Sequence, residues 1–150
     1  MLIDNHQRKI NYLRLAVTDR CNLRCNYCMP ESGINFAKKD KLLSIDELYQ
    51  LSKILVEQGI TKIRITGGEP FVRKELMVLL RKLANLENLE DISITTNATL
   101  IGEHIAELKE LGIKNINLSL DSITPETFKK VTRRDQFETV YGNLIKLIQE

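Results

Sequence analysis

Lys62-Ile63-Arg64-Ile65-Thr66-Gly67-Gly68-Glu69-Pro70 is the stretch that decides the fold. Ile63 and Ile65 alternate with Lys62, Arg64 and Thr66, so a strand here carries its isoleucines on one face and its polar side chains on the other. Gly67 and Gly68 end the strand and leave the backbone bare to a neighbour or a ligand, while Pro70 removes an amide donor and stiffens the exit. Residues 73–85 then repeat like a helix. No Gly-Lys-Ser/Thr follows the glycines, which excludes a phosphate-binding P-loop.

The same switch of period recurs on both sides. Residues 13–18, 91–96 and 115–120 alternate like strands, and 44–58, 101–111, 124–131 and 137–149 repeat like helices. Ser44 with Glu47 forms a capping-box pattern, Thr124-Pro125 suits a helix start, and Gly59 and Gly112 stand where helices should stop. The order is βαβαβαβα, and helical crossovers between strands require parallel pairing, so the fold class is α/β. Pro30 to Lys41 is the longest irregular stretch and reads as a mobile loop.

Strands buried on both faces usually run near-continuously apolar. These four do not. Leu13, Leu15 and Val17 oppose Arg14, Ala16 and Thr18; Ile92 and Ile94 oppose Asp91, Ser93 and Thr95; Ile116, Leu118 and Leu120 oppose Asn115, Asn117, Ser119 and Asp121. If the apolar face packs on the helices, the polar face lines something wet, such as the lumen of an incompletely closed barrel; a sheet with one solvent face is the competing reading. Arg14, Lys62 and Arg64 share that polar face, and three converging cations repel unless an anion such as a triphosphate joins them.

Composition sets bounds. The chain has 150 residues, 43% of them hydrophobic, which suits one domain over 1–150 able to bury roughly 70% of its unfolded surface. A net charge of +2 indicates neither an acidic tail nor a basic stripe for nucleic acid. No apolar run approaches the roughly 20 residues of a membrane span, and Met1 to Asn11 lacks the apolar stretch of a signal peptide, so a cytoplasmic location is expected. His6 and His104 read as surface side chains, and Arg133-Arg134-Asp135 as a helix-end loop with its charges in water.

The three cysteines lie together as Cys21-Asn22-Leu23-Arg24-Cys25-Asn26-Tyr27-Cys28. One short loop can wrap three thiolates round a metal centre and leave a position open; soft thiolates select zinc, copper(I) or an iron–sulfur cluster, and a fourth cysteine would close the site. An odd number of closely spaced cysteines in a reducing compartment argues for metal over disulfides.

Thr18 to Pro30 with this C-x3-C-x2-C spacing, together with Arg64 to Pro70, Thr95-Thr96-Asn97 and Asn117 to Ser122, resembles the radical S-adenosylmethionine (SAM) superfamily, in particular its MoaA-type GTP 3′,8-cyclase branch of molybdenum cofactor biosynthesis. The resemblance runs along nearly the whole chain and implies a partial TIM-like (β/α) barrel of about four parallel βα units, with the motifs at the C-terminal ends of the strands. It implies that Cys21, Cys25 and Cys28 hold a 4Fe–4S cluster whose fourth iron SAM chelates. Tyr27, Gly67, Gly68, Glu69, Asn97 and Ser119 would bind SAM, and Arg14, Lys62, Arg64 and Thr95 would bind GTP. The implied reaction cleaves SAM reductively to a 5′-deoxyadenosyl radical, which takes a hydrogen from the GTP ribose so that the sugar attacks C8 of guanine. The electron donor would be a flavodoxin or ferredoxin.

Members of that branch are about twice as long and add a second, C-terminal cysteine cluster. The resemblance therefore implies an N-terminal portion or a short homologue. A last helix running to Glu150 without a cap, and an unpaired strand edge after four strands, lead separately to the expectation of a chain less stable than its size suggests, inclined to form a homodimer or meet a completing polypeptide. A cluster- and SAM-binding module without productive GTP turnover, a radical SAM enzyme for another substrate and a non-enzymatic zinc module are the alternatives.

Overall fold

The computed structural model describes residues 2–30 and 32–150. Its strands are β1 (Leu2–Ile3), β2 (Lys9–Ile10), β3 (Tyr12–Ala16), β4 (Lys62–Thr66), β5 (Asp91–Thr96) and β6 (Asn115–Leu118). The helices are α1 (Ile45–Glu57), α2 (Leu76–Ala84), α3 (Ile105–Glu110), α4 (Pro125–Thr132) and α5 (Phe137–Gln149). Strands β3 to β6 form one parallel sheet in chain order, with Arg14 opposite Arg64, Arg64 opposite Ser93, and Thr95 opposite Asn117. This is the expected α/β architecture, four βα units of an open barrel, with the helices between strands covering one face.

Alternation along the strands produces the two faces. Ile63, Ile65 and Ile94 are fully buried, as are Leu79, Leu80 and Leu83 of α2, whereas Arg14, Lys62 and Asn117 remain exposed. Burying a side chain such as Ile or Leu contributes roughly 1.5–3 kcal/mol, so the apolar row of each strand fixes its register. A slip of one residue would turn that row to water.

Helix boundaries follow local chemistry. The Ser44 hydroxyl accepts from Glu47 N at 3.2 Å while the Glu47 carboxylate accepts from Ser44 N at 2.7 Å, completing the capping box at α1. Gly59 and Gly112 take left-handed conformations (φ +108° and +73°) where α1 and α3 end. Helix α2 starts three residues later than the periodicity suggests, because Pro70–Val72 forms a 3-10 turn first. The 101–111 segment likewise divides into a 3-10 turn, Ile101–Glu103, and α3. Thr124 precedes α4, but its hydroxyl makes no cap bond; Ser122 Oγ accepts from Thr124 N instead, at 3.1 Å.

Other features also differ from the sequence reading. Residues 2–10 form a short antiparallel hairpin, its turn held by Asp4 accepting from His6 N, Arg8 N and Arg8 Nε. The segment read as a mobile loop is pinned at Ala37, whose N–H donates to Asp19 Oδ2 at 2.6 Å and whose carbonyl accepts from Arg20 at 3.1 Å. His104 is half-buried and stacked on Phe71 at 5.3 Å between centroids, because the 3-10 turn rolls it inward.

Among the described residues strand β6 has one neighbour, and beside it Ile105, Leu108, Ile116, Leu118, Leu147 and Ile148 line an apolar groove of about 370 Å3. Among the described residues no helix is long and apolar enough to cross a membrane.

Ser44→Ala removes the cap acceptor and should lower stability by about 1 kcal/mol, seen as a lower denaturant midpoint with an unchanged slope.

Candidate active site

The turn after β4 ties three strand ends together. Gly68 N donates to Thr18 O at 2.9 Å and Glu69 N to Arg20 O at 2.8 Å, both on the segment leaving β3. The fully buried Glu69 carboxylate then accepts from Phe71 N (3.1 Å), from Thr96 Oγ1 (2.8 Å) and from Asn97 N (2.7 Å) at the end of β5. The glycines are required by this closeness: a Cβ on Gly68 would lie 2.4 Å from Arg20 O, and one on Gly67 2.5 Å from Thr18 O. Burial pushes the Glu69 carboxyl above its ordinary value, against the opposite pull of its three donors.

From this knot the cysteine loop departs. Cys21 and Cys25 are half-buried and Cys28 is exposed; all three are free thiols. They line one cavity of about 120 Å3 with Leu23, Tyr27, Thr66, Gly67, Gly68, Thr95, Thr96, Asn97 and Ser119. Among the described residues no three His, Cys, Asp or Glu side chains stand already gathered for a metal ion, so the thiols border an open cavity and do not form a closed cage. Burial pushes the Cys21 and Cys25 thiols up. Asn97 Nδ2 lies 3.6 Å from Cys21 Sγ, and the amide is fixed by Asn22 Oδ1, Thr99 N and Thr99 Oγ1. Tyr27 reaches across the cavity mouth to Asp121, its hydroxyl donating to Oδ2 at 2.7 Å.

Further down the same sheet face lie the cations. Arg14 and Arg64 are register partners; Arg64 is two residues before Thr66, about 7 Å along the strand. The Arg64 guanidinium sits 5.6 Å from the Tyr12 ring centroid and donates to Ser93 Oγ at 3.3 Å. With the Asn117 amide turned so that its oxygen faces Arg64, that oxygen accepts at 2.8 and 3.1 Å. Among the described residues Arg14, Lys62 and Arg64 have no ion-pair partner.

Nine of the residues expected at the site thus line one cavity: Cys21, Cys25, Tyr27, Cys28, Gly67, Gly68, Thr95, Asn97 and Ser119. Arg14, Lys62 and Arg64 share its sheet face but lie below it, and the Glu69 side chain points away into the protein. Thr66 was missed as a lining residue, although its place in the alternation marked it. Asn22 and Asp121 were missed because their partners, Thr99 and Asn97 for the one and Tyr27 for the other, are distant in sequence; Thr99 was missed although its partner Asn97 stands two residues away. Arg133, read as solvated, is half-buried against the cysteine loop, its Nη1 donating to Met29 O at 3.1 Å. A larger cavity of about 520 Å3, bounded by Arg73–Met77, residues 99–104 and α5, contains no cysteine.

The family model described as the radical SAM superfamily matches residues 15–150. The chain belongs to the radical SAM superfamily. Among its relatives, the GTP 3′,8-cyclase of Peptoclostridium acidaminophilum is 49% identical over 140 residues, covering 93% of this chain and 43% of that protein. The GTP 3′,8-cyclase of Syntrophomonas wolfei is 45% identical over 148 residues, 99% of this chain and 45% of that one. This radical SAM chain therefore spans less than half the length of the curated relatives it matches. Among solved structures, Streptococcus suis SuiB bound to the precursor peptide SuiA superposes with a TM-score of 0.70 at 22% identity, over 91% of this chain and 29% of that one. The AdoMet-bound enzyme anSMEcpe superposes with a TM-score of 0.64 at 25% identity, over 92% and 39%.

Two outcomes test the knot. Gly68→Ala should destabilise the fold by at least about 1 kcal/mol, measured by chemical denaturation, because the added methyl meets backbone rather than a movable side chain. For Glu69, a raised carboxyl keeps its proton in the folded protein after the unfolded chain has lost it, so stability falls as pH rises from the ordinary carboxylate value to the raised one and is level above. Unfolding measured across acid pH should show this decline in the native sequence, and Glu69→Gln should remove it.

Proposed function

We propose that this chain is the cluster- and SAM-binding part of a cytoplasmic GTP 3′,8-cyclase acting in molybdenum cofactor biosynthesis. The observation that carries the reading is the order of groups on one sheet face: a three-thiol cavity at the strand ends, then the bare Gly67-Gly68 backbone and polar strand ends, then a guanidinium pair without a carboxylate. Relatives named for this activity, 49% and 45% identical over the matched lengths, support it.

The donor set fits a 4Fe–4S cluster. Cys21, Cys25 and Cys28 are free and border one cavity; three thiolates would hold the cluster and leave one coordination position for SAM. When bound, the cluster and SAM supply one-electron chemistry that generates a hydrogen-abstracting radical. Gly67 and Gly68 line the cavity with main chain, while Asn97, Ser119 and Tyr27 offer polar groups round it for SAM. Glu69 acts through the knot, holding Asn97 and the glycines in place.

Arg14 and Arg64 attract the triphosphate, with Lys62 at the outer edge and Thr95 on the cavity wall. The Tyr12 ring and the Asn117 and Ser93 oxygens hold Arg64 in position beforehand, so less side-chain freedom is lost when an anion arrives. On this reading the triphosphate binds about 7 Å along the strand from Thr66 of the cavity wall, on the face where positioning counts most. The guanine end, the exclusion of water and the second cluster fall to polypeptide not present in these residues, and a flavodoxin or ferredoxin supplies the electron.

A cluster- and SAM-binding module without productive GTP turnover is the second reading, which the three free thiols round one cavity serve equally well. Anaerobic reconstitution should give iron at about four per chain with matching sulfide, and GTP should bind, with Arg64→Ala weakening it about tenfold or more. Iron and SAM cleavage without any effect of GTP would favour the module. Zinc in place of iron would overturn both readings.

A further inference from the structure

The cysteine loop is gripped by the C-terminus of α4. The last carbonyls of a helix have no partner within it, and here two of them are taken by the loop: Thr132 O accepts from Arg24 N and Val131 O from Asn26 N, both at 2.9 Å. Cys25 lies between these anchored amides. The next residue, Arg133, adopts a left-handed conformation with φ +54° and ψ +27°, a region that glycine enters freely and other residues enter at an energetic cost. From there its Nη1 donates to Met29 O at 3.1 Å and, more weakly, to Arg24 O at 3.4 Å. One guanidinium thus bridges the two ends of the turn that contains Cys25 and Cys28, a turn closed internally by Cys28 N and Met29 N donating to Cys25 O at 3.0 Å.

The left-handed backbone and the reach of the side chain belong together. Glycine would end α4 with less strain but could not reach the loop. Arg133 is half-buried and has no acidic partner among the described residues, so its charge is directed to the carbonyls of the loop.

We propose that Arg133 is a positioning residue for the three-thiol loop, clamping the carbonyls of Arg24 and Met29 so that Cys25 and Cys28 are held relative to Cys21. The inference rests on reading the cysteines as cluster ligands, but the clamp can be measured without the cluster.

Arg133→Gly separates the two roles, since it relieves the backbone and removes only the side chain. In the metal-free chain the thermal midpoint should be unchanged or raised, while amides of residues 24–29 exchange about tenfold faster or more and Cys25 and Cys28 are alkylated faster. Arg133→Lys, which keeps the charge but not the fork, should recover part of this protection. In reconstituted protein, Arg133→Gly should broaden the electron paramagnetic resonance signal of the reduced cluster. If exchange and alkylation in residues 24–29 match the native sequence, the clamp is refuted, whatever the metal content. If the native chain retains no iron yet the variant loosens the loop, the clamp stands and the ligand reading fails.

Discussion

A single buried carboxylate organises this molecule. Glu69 accepts hydrogen bonds from Phe71 N, Thr96 Oγ1 and Asn97 N, and its own N–H reaches Arg20 O. These contacts join the exits of β3, β4 and β5 at one point. Charge-assisted bonds of this kind are about twice as strong as neutral ones, and leaving any of the donors unpaired in the interior would carry the full penalty of desolvation. Cys21 begins one residue beyond Arg20, and Asn97, the neighbour of its thiol, is itself a donor to the knot. The geometry of the thiol cavity therefore follows from an interaction that takes no direct part in lining it.

The two faces of the sheet divide the work. Isoleucines and leucines on the helix side supply the burial that sets register, which leaves the other face able to carry residues that contribute little to stability. Arg14 beside Arg64 is an arrangement that a core could not tolerate and that a surface would not need. Its place below the cavity, on a polar face, is what the proposed anion site rests on. Similar logic applies at the strand ends, where Thr66, Thr95, Asn97 and Ser119 occupy positions that packing does not claim.

Strand and helix order were legible because the period of apolar residues changes sharply, and the Ser44 cap and Gly59 and Gly112 stops were legible because their chemistry is local. The thiol cavity was legible through the motifs. Other parts depend on contacts that no window of sequence contains. The inward turn of Glu69 is decided by donors from β5, and the half-buried state of Arg133 by carbonyls of the cysteine loop. The hairpin of residues 2–10 has strands of only two residues, too short for any alternation to register. His104 carries no pattern that could announce its stacking on Phe71.

Strand order equal to chain order also bears on how the polypeptide acquires its shape. Each βα unit can settle on the one before it as synthesis proceeds, with loops of modest closure entropy. The loop carrying the thiols is the exception. Its partner Arg133 stands 109 residues after Arg24, so the turn from Arg24 to Met29 gains this hold only once all four strands of the sheet have been made. Until α4 has been built, the loop is held at its Cys21 end, by Arg20 and Asn97, and the order of synthesis itself separates the making of the thiols from the moment their turn is locked.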